Sequence, residues 1–193
     1  MTEKNQPELI IIGGANGSGK TTFAREIVAQ TGIEYLGADE IAAELNPAAP
    51  ETVAIEAARI FSRRFGEYLN SGESVLVEST LSGLSLKKFL RAAKENGFRI
   101  RVWFVYLDSA EMCVRRVAAR VAKGGHHIPD KDVRRRFVRS NANFWNVYKN
   151  SADKWHLVFN AGDSFEQIAA GDGKGVIILD EARYEQWLKM VEN

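Results

Sequence analysis

Eight residues near the start of the chain, Gly14-Ala15-Asn16-Gly17-Ser18-Gly19-Lys20-Thr21, have the types and spacing to hold a polyphosphate. They match the pattern GxxxxGK[ST], follow the apolar run Leu9–Ile12 and lead into a helical pattern beginning near Thr21. Glycines let the backbone bend so that successive N–H groups point inward at phosphate oxygens, and the helix behind adds its positive N-terminal end. Lys20 is expected to reach the β- and γ-phosphates, and the Thr21 hydroxyl to join a Mg²⁺ shell that keeps several waters. Gly14, Ala15, Asn16, Gly17, Ser18, Gly19, Lys20, Thr21 and Thr22 form the predicted cofactor-binding set. A nucleoside triphosphate is the ligand this pattern implies.

In an open parallel sheet, ligands sit beyond the carboxyl ends of the strands. That rule selects Asp39 after a second predicted strand, Glu78 and Thr80 after a third, and Asn160 to Asp163 after a fifth. A phosphotransferase needs a carboxylate to orient or deprotonate the acceptor hydroxyl. Asp39 is the first candidate and Glu40 the second, with a helix cap as the structural alternative for Asp39. Glu78 and Thr80 are candidates for holding acceptor hydroxyls or a metal-bound water.

Charge is unevenly spread. Between Val114 and Arg139 stand nine Lys/Arg and two Asp, a balance of +7, which leaves −6 for the rest of a chain of net charge +1. Arg116 and Arg120 are one helical turn apart, where like charges repel by a few tenths of a kcal/mol unless an anion lies between them. Gly124-Gly125-His126-His127-Ile128-Pro129 then breaks the helix, and Arg134 to Arg136 follow. This is the layout of a hinged lid that brings guanidinium groups to phosphates in transfer. Arg120 and Arg136, flanking the hinge, are the first candidates; Arg116 and Arg135 are further ones. Arg135 and Arg139 project opposite Phe137, where water is the alternative. The adjacent His126 and His127 lack partners at metal-ligand spacing and fit lid residues better.

The remaining pattern supplies elements to position these groups. Helices are predicted from about Thr21 to Gly32, Glu51 to Leu69, Leu84 to Glu95, Asp108 to Lys123, Asp130 to Tyr148 and Glu181 to Val191. Asp108 and Glu111 have capping-box spacing for the fourth. Strands alternate with them at Leu9–Ile12, Glu34–Leu36, Ser74–Val77, Arg101–Leu107 and Trp155–Phe159. The expected fold class is therefore α/β, a phosphate-loop fold whose parallel five-stranded sheet carries helices on both faces. A hairpin turn at 171–175, an apolar run Val176–Leu179 and a last helix complete it. With no repeat and no long linker, residues 1–193 are expected to form one domain, with a lid at about 116–136.

Hydrophobic residues make up 45% of the chain and charged residues 26%, which fits a globular protein and offers no membrane span. Met1–Pro7 lacks a signal-peptide core. The one cysteine, Cys113, lies in a helical pattern and is expected to be buried filler. A reducing, cytoplasmic setting follows.

Gly14–Thr22, Asp39, Glu78-Ser79-Thr80 and the Arg-Val…Gly-Gly-His-x-Ile-Pro…Arg-Arg segment together resemble the zeta-toxin family of phosphate-loop kinases over about residues 8–165. The better-studied toxins of that family phosphorylate the 3′-hydroxyl of UDP-N-acetylglucosamine with ATP and Mg²⁺. The resemblance implies Asp39 as base, Glu78 and Thr80 on the sugar, and Arg120 with an arginine of 134–136 on the phosphates. It also implies a separate antitoxin protein as a partner, although this chain is shorter than the larger toxins. The main rival is a phosphate-loop ATPase with Asp180 and Glu181 as its metal-binding pair and Leu81-Ser82-Gly83 as a transporter-like signature. Against it, the run before Asp180 comes last and is expected at a sheet edge. A nucleoside or small-metabolite kinase is the nearer alternative, and a nucleic-acid-binding module is weighed down by few aromatics among the basic residues.

Overall fold

The computed structural model describes residues 6–125 and 127–192. Met1–Asn5, His126 and Asn193 lie outside the described residues, and with them most of the expectation for Met1–Pro7 and that for His126.

The apolar run near the start forms β1 (Glu8–Gly13), and its neighbours in the sheet are β3 (Val75–Ser79) and β4 (Arg99–Tyr106), both parallel. A strand with partners on both edges and helices on both faces needs apolar side chains all round, and Leu9, Ile11 and Ile12 are fully buried. Their alternation serves two cores. Leu9 and Ile11 join the cluster containing Phe65, Leu90, Phe104, Phe144 and Trp187. Ile10 and Ile12 join Phe23, Ala24, Leu76, Val105 and Val158 on the opposite face.

The sheet has seven strands in the order β2-β3-β1-β4-β5-β6-β7, with β2 at Glu34–Leu36 and β5 at Lys154–Asn160. The five expected strands are parallel. Two more, β6 (Phe165–Asp172) and β7 (Val176–Ile178), run antiparallel, so the sheet is mixed and not the parallel five-stranded one expected. The segment Phe-Glu-Gln-Ile-Ala-Ala-Gly-Asp is short of β-branched residues and hides its strand character. Its Gly171 is required by packing: a Cβ there would stand 2.5 Å from the Trp155 indole.

Helices α1 (Lys20–Thr31), α3 (Ala54–Ser71), α4 (Lys87–Glu95), α5 (Ala110–Val121) and α6 (Asp130–Asn143) follow the predicted order, and a short helix, α2 (Ala38–Leu45), follows β2. Several ends differ. A 3₁₀ turn, Pro50–Val53, precedes α3, and α4 starts three residues late. Ser109, not Asp108, caps α5, its Oγ accepting the Met112 N–H at 3.2 Å. Beyond α6 the chain continues as a π-helical turn, Phe144–Tyr148, and a last turn α7 (Lys149–Ser151). Both ends of the π turn face inward. Phe144 stacks on Phe104 at 4.4 Å, and the Tyr148 hydroxyl donates to the Gly83 carbonyl. Helix α8 (Glu181–Glu192) buries Trp187. A third, smaller cluster of Ala15, Leu107, Cys113, Val117, Ile128 and Val133 binds α5 and α6 to the loop after β1. Cys113 is the buried filler expected, and burial pushes its thiol up to about 11.

Candidate active site

The Gly-rich stretch spans the turn between β1 and α1, at the carboxyl end of the central strand. Gly17 has φ of 82°, and a Cβ on it would stand 2.5 Å from the Cys113 carbonyl, so the loop and α5 fit only with glycine there. Lys20 is 7% exposed, and its Nζ donates to the Ala15 carbonyl at 3.2 Å. The buried Asn160 braces the loop from β5, its Nδ2 donating to the Ser18 carbonyl at 2.8 Å while its Oδ1 accepts the Gly162 N–H at 2.9 Å.

Glu78 ends β3, the strand beside β1. Thr21 Oγ1 donates to it at 3.0 Å, Tyr35 donates to its other oxygen at 3.2 Å, and Lys20 Nζ lies 3.7 Å away. Burial, followed by the Glu78 charge, holds the Tyr35 phenol well above its ordinary range, so it stays a donor. A threonine hydroxyl and a carboxylate meeting at the mouth of the loop are hard oxygen donors. They fit a Mg²⁺ that keeps most of its waters.

Two cavities meet at this loop. One, of about 420 Å³, is lined by Asn16, Gly17, Gly19, Lys20, Thr21, Thr22, Glu78, Arg116 and Asn160. The other, of about 580 Å³, lies between α2 with the Pro50 turn and the chain leading into α6, with His127, Ile128, Pro129 and Arg136 on one wall and Ala42, Ala43 and Pro47 on the other. Asn16, Asp39 and Arg120 line both. Asp39 stands in the first turn of α2; Gly37 is the N-cap, so the capping alternative for Asp39 does not hold.

The sequence-derived candidates divide accordingly. Arg116, Arg120, Arg136, Asp39 and Glu78 come together around the loop, and Arg136 donates to Asn16 Oδ1 at 3.0 Å. Arg135, Thr80 and Glu40 line neither cavity. Arg135 is half-exposed and pairs with Asp132 at 2.9 Å, while Thr80 bonds the Ser82 hydroxyl at 2.9 Å. Arg134 pairs with Glu111 at 3.1 Å and Asp130 at 3.7 Å. Part of the basic run is therefore neutralised locally, by its own two aspartates and by a glutamate that precedes it in the chain. Asp180 and Glu181 lie past the edge strand β7, four places along the sheet from β1, and Asp180 caps the start of α8 by accepting the Arg183 N–H. They cannot be the metal-binding pair of an ATPase, and the edge placement expected of that run is the one observed.

Sheet order, loop and site define a phosphate-loop, nucleotide-binding domain of the kinase-like kind. The chain belongs to the AAA_33 family, described as an AAA domain, whose profile matches residues 9–140. An uncharacterized protein of Haemophilus influenzae is 33% identical over 132 residues, which is 68% of this chain and 94% of that protein. Among solved structures, a chain of the AvrRxo1-ORF1:AvrRxo1-ORF2 complex with ATP matches with a TM-score of 0.75 and 22% identity, covering 98% of this chain. This chain spans 65% of that one. The PezAT toxin–antitoxin system of Streptococcus pneumoniae matches at 0.71 and 15% identity, over 98% of this chain and 86% of the other. A gluconokinase of Sinorhizobium meliloti matches at 0.53 and 18% identity, over 82% and 85%. At these identities the likeness is one of fold. Among the described residues no helix is long and apolar enough to cross a membrane.

Proposed function

We propose that the protein is an ATP-dependent phosphotransferase that moves the γ-phosphate to a hydroxyl of a small acceptor. One observation carries this: the cavity at the phosphate loop and the larger cleft share Asp39 and Arg120 as a common wall. A donor held in the first and an acceptor in the second would meet there, as in-line transfer requires. Thr21 and Glu78 would hold a Mg²⁺, which would supply charge neutralisation to the phosphates of an ATP donor. Asp39 orients the acceptor hydroxyl and takes its proton. Lys20, Arg116 and Arg120 grip phosphate oxygens, and Arg136 steadies the loop through Asn16 or turns to the phosphates. Residues 1–193 act as one domain with a lid at about 116–136.

The resemblance to zeta toxins supports UDP-N-acetylglucosamine as a candidate acceptor, but the sugar contacts it implies for Glu78 and Thr80 do not fit a sugar in the larger cleft, since Glu78 lines the phosphate-loop cavity and Thr80 neither. The likeness to the PezAT system supports a separate antitoxin partner, and the lone, buried cysteine supports a cytoplasmic setting. A nucleoside or small-metabolite kinase is the alternative acceptor class. Incubation with ATP, Mg²⁺ and a panel of nucleotide sugars, nucleosides and polyols tests the reading. A phosphorylated acceptor formed in step with ADP is expected; ATP hydrolysis at one rate whatever acceptor is present contradicts it.

A further inference from the structure

Of the side chains that meet the Glu78 carboxylate, Thr21 and Lys20 belong to the phosphate loop and the start of α1, but Tyr35 comes from β2, the edge strand beside β3. The register brings it there. Tyr35 pairs with Leu76 on β3, so both side chains stand on one face of the sheet, and Glu78, two residues further on, stands on that face too. An aromatic side chain is long enough to reach such a diagonal neighbour, and the Tyr35 hydroxyl donates to Glu78 Oε2 at 3.2 Å.

The ring itself is held on two sides. Its body packs on the cluster that contains Ile10, Ile12, Phe23 and Leu76. Its hydroxyl end lies against Gly37, where a Cβ would stand 2.6 Å from Oη and 2.8 Å from the nearest ring carbon. Gly37 is the N-cap of α2, and Asp39 lies in that helix's first turn. The phenol therefore sits where the strand carrying Glu78 meets the helix carrying Asp39. Yet Tyr35 lines neither cavity, so it reaches a ligand only through another residue.

That residue is Glu78. The last torsion of a glutamate is broad, and its carboxylate rotates unless both oxygens are engaged. Here Oε1 accepts from Thr21 at 3.0 Å while Oε2 accepts from Tyr35. With its proton aimed at Oε1, the Thr21 hydroxyl keeps its lone pairs for a cation. We propose that Tyr35 is a positioning residue for the metal site: by holding Glu78 Oε2 it fixes the rotation of the carboxylate and so keeps Oε1 and the Thr21 hydroxyl set for a divalent cation. This rests on the reading of Thr21 and Glu78 as the residues that would hold Mg²⁺. A tyrosine that only packed against β3 would alter stability and leave metal affinity where it was.

Tyr35→Phe keeps the ring and its packing and removes one donor. Calorimetry of ADP binding to the protein and to the variant, in EDTA and across a series of Mg²⁺ concentrations, separates the two roles. Mn²⁺ bound to the protein–ADP complex, followed by electron paramagnetic resonance, reads the metal directly. In Tyr35→Phe, ADP affinity without metal is expected to stay within about 2-fold, while the Mg²⁺ midpoint rises and Mn²⁺ affinity falls by about 10-fold, as on losing a partner of a ligand. A Mg²⁺ midpoint and Mn²⁺ affinity unmoved in the variant, or ADP affinity lost equally with and without metal, overturns the role of Tyr35 and leaves the metal site standing. ADP binding to the unaltered protein that ignores Mg²⁺ altogether removes the metal site, and the role of Tyr35 with it.

Discussion

Asn160 spends both ends of one amide on loop backbone, and its removal leaves the Ser18 carbonyl buried without that donor. An unsatisfied buried acceptor costs about 1–3 kcal/mol. Asn160→Ala is therefore expected to lower the melting temperature by about 2–4 °C for each kcal/mol at this chain length. It should also weaken nucleotide binding, read by calorimetry; unchanged melting would mean that water replaces the amide. Glu78 acts at the same scale through Thr21. Glu78→Gln keeps the shape and removes the charge, so the Mg²⁺ concentration for half-maximal turnover is expected to rise about 10-fold or more, the usual effect of losing a partner of a ligand. A Mg²⁺ titration checks it, and an unshifted midpoint would remove Glu78 from the metal's surroundings.

At the scale of elements, α6 is held at one end and reaches the site with the other. Ser140 donates to the Thr80 carbonyl and Asn143 to the Leu81 carbonyl, and Tyr148 of the π turn that follows donates to Gly83, tying its far half to the loop after β3. Its near half carries Arg136 to Asn16. Arg136→Ala is expected to slow phosphoryl transfer by about 10²-fold, in the range for losing one donor to developing charge. Arg135→Ala, next in the chain but paired with Asp132, should change it less than about 2-fold. Equal losses in the two variants, measured as single-turnover rates, would mean that the run acts by bulk charge. These contacts explain what could be read from the chain alone. That the phosphate loop, Asp39 and Glu78 meet was legible because strand ends converge in a parallel sheet, and that Arg120 and Arg136 come near them because the chain doubles back between α5 and α6 after the Gly-Gly…Pro break. The Arg136–Asn16 bond joins residues 120 apart, the Asn160–Ser18 bond residues 142 apart, and no local pattern announces either. Strand β6 stayed hidden because its small residues are chosen to admit Trp155, a tertiary demand.

Across the whole molecule, the sheet carries its own acid sensitivity away from the site. His156 on β5 stacks against Trp103 on β4 with ring centroids 3.7 Å apart, and burial, followed by the Arg101 charge, pulls its pKa from 6.5 down to about 4. The unfolded chain then takes up this proton first, so stability held above pH 6.5 is lost as pH falls through 4. His156→Phe keeps a stacking ring without the titration, and its melting temperature should fall less between those pH values; parallel curves would assign the acid loss to other groups. The two cavities lie at the opposite, phosphate-loop end of the strands, and their shared wall is the centre of the functional account. The most direct measurement compares ATP affinity with phosphoryl transfer in Asp39→Asn. Binding within about 2-fold of the wild type and transfer to the acceptor reduced by about 10²–10⁴-fold, the worth of a positioned base, is the predicted result. Transfer at the wild-type rate in Asp39→Asn would contradict it.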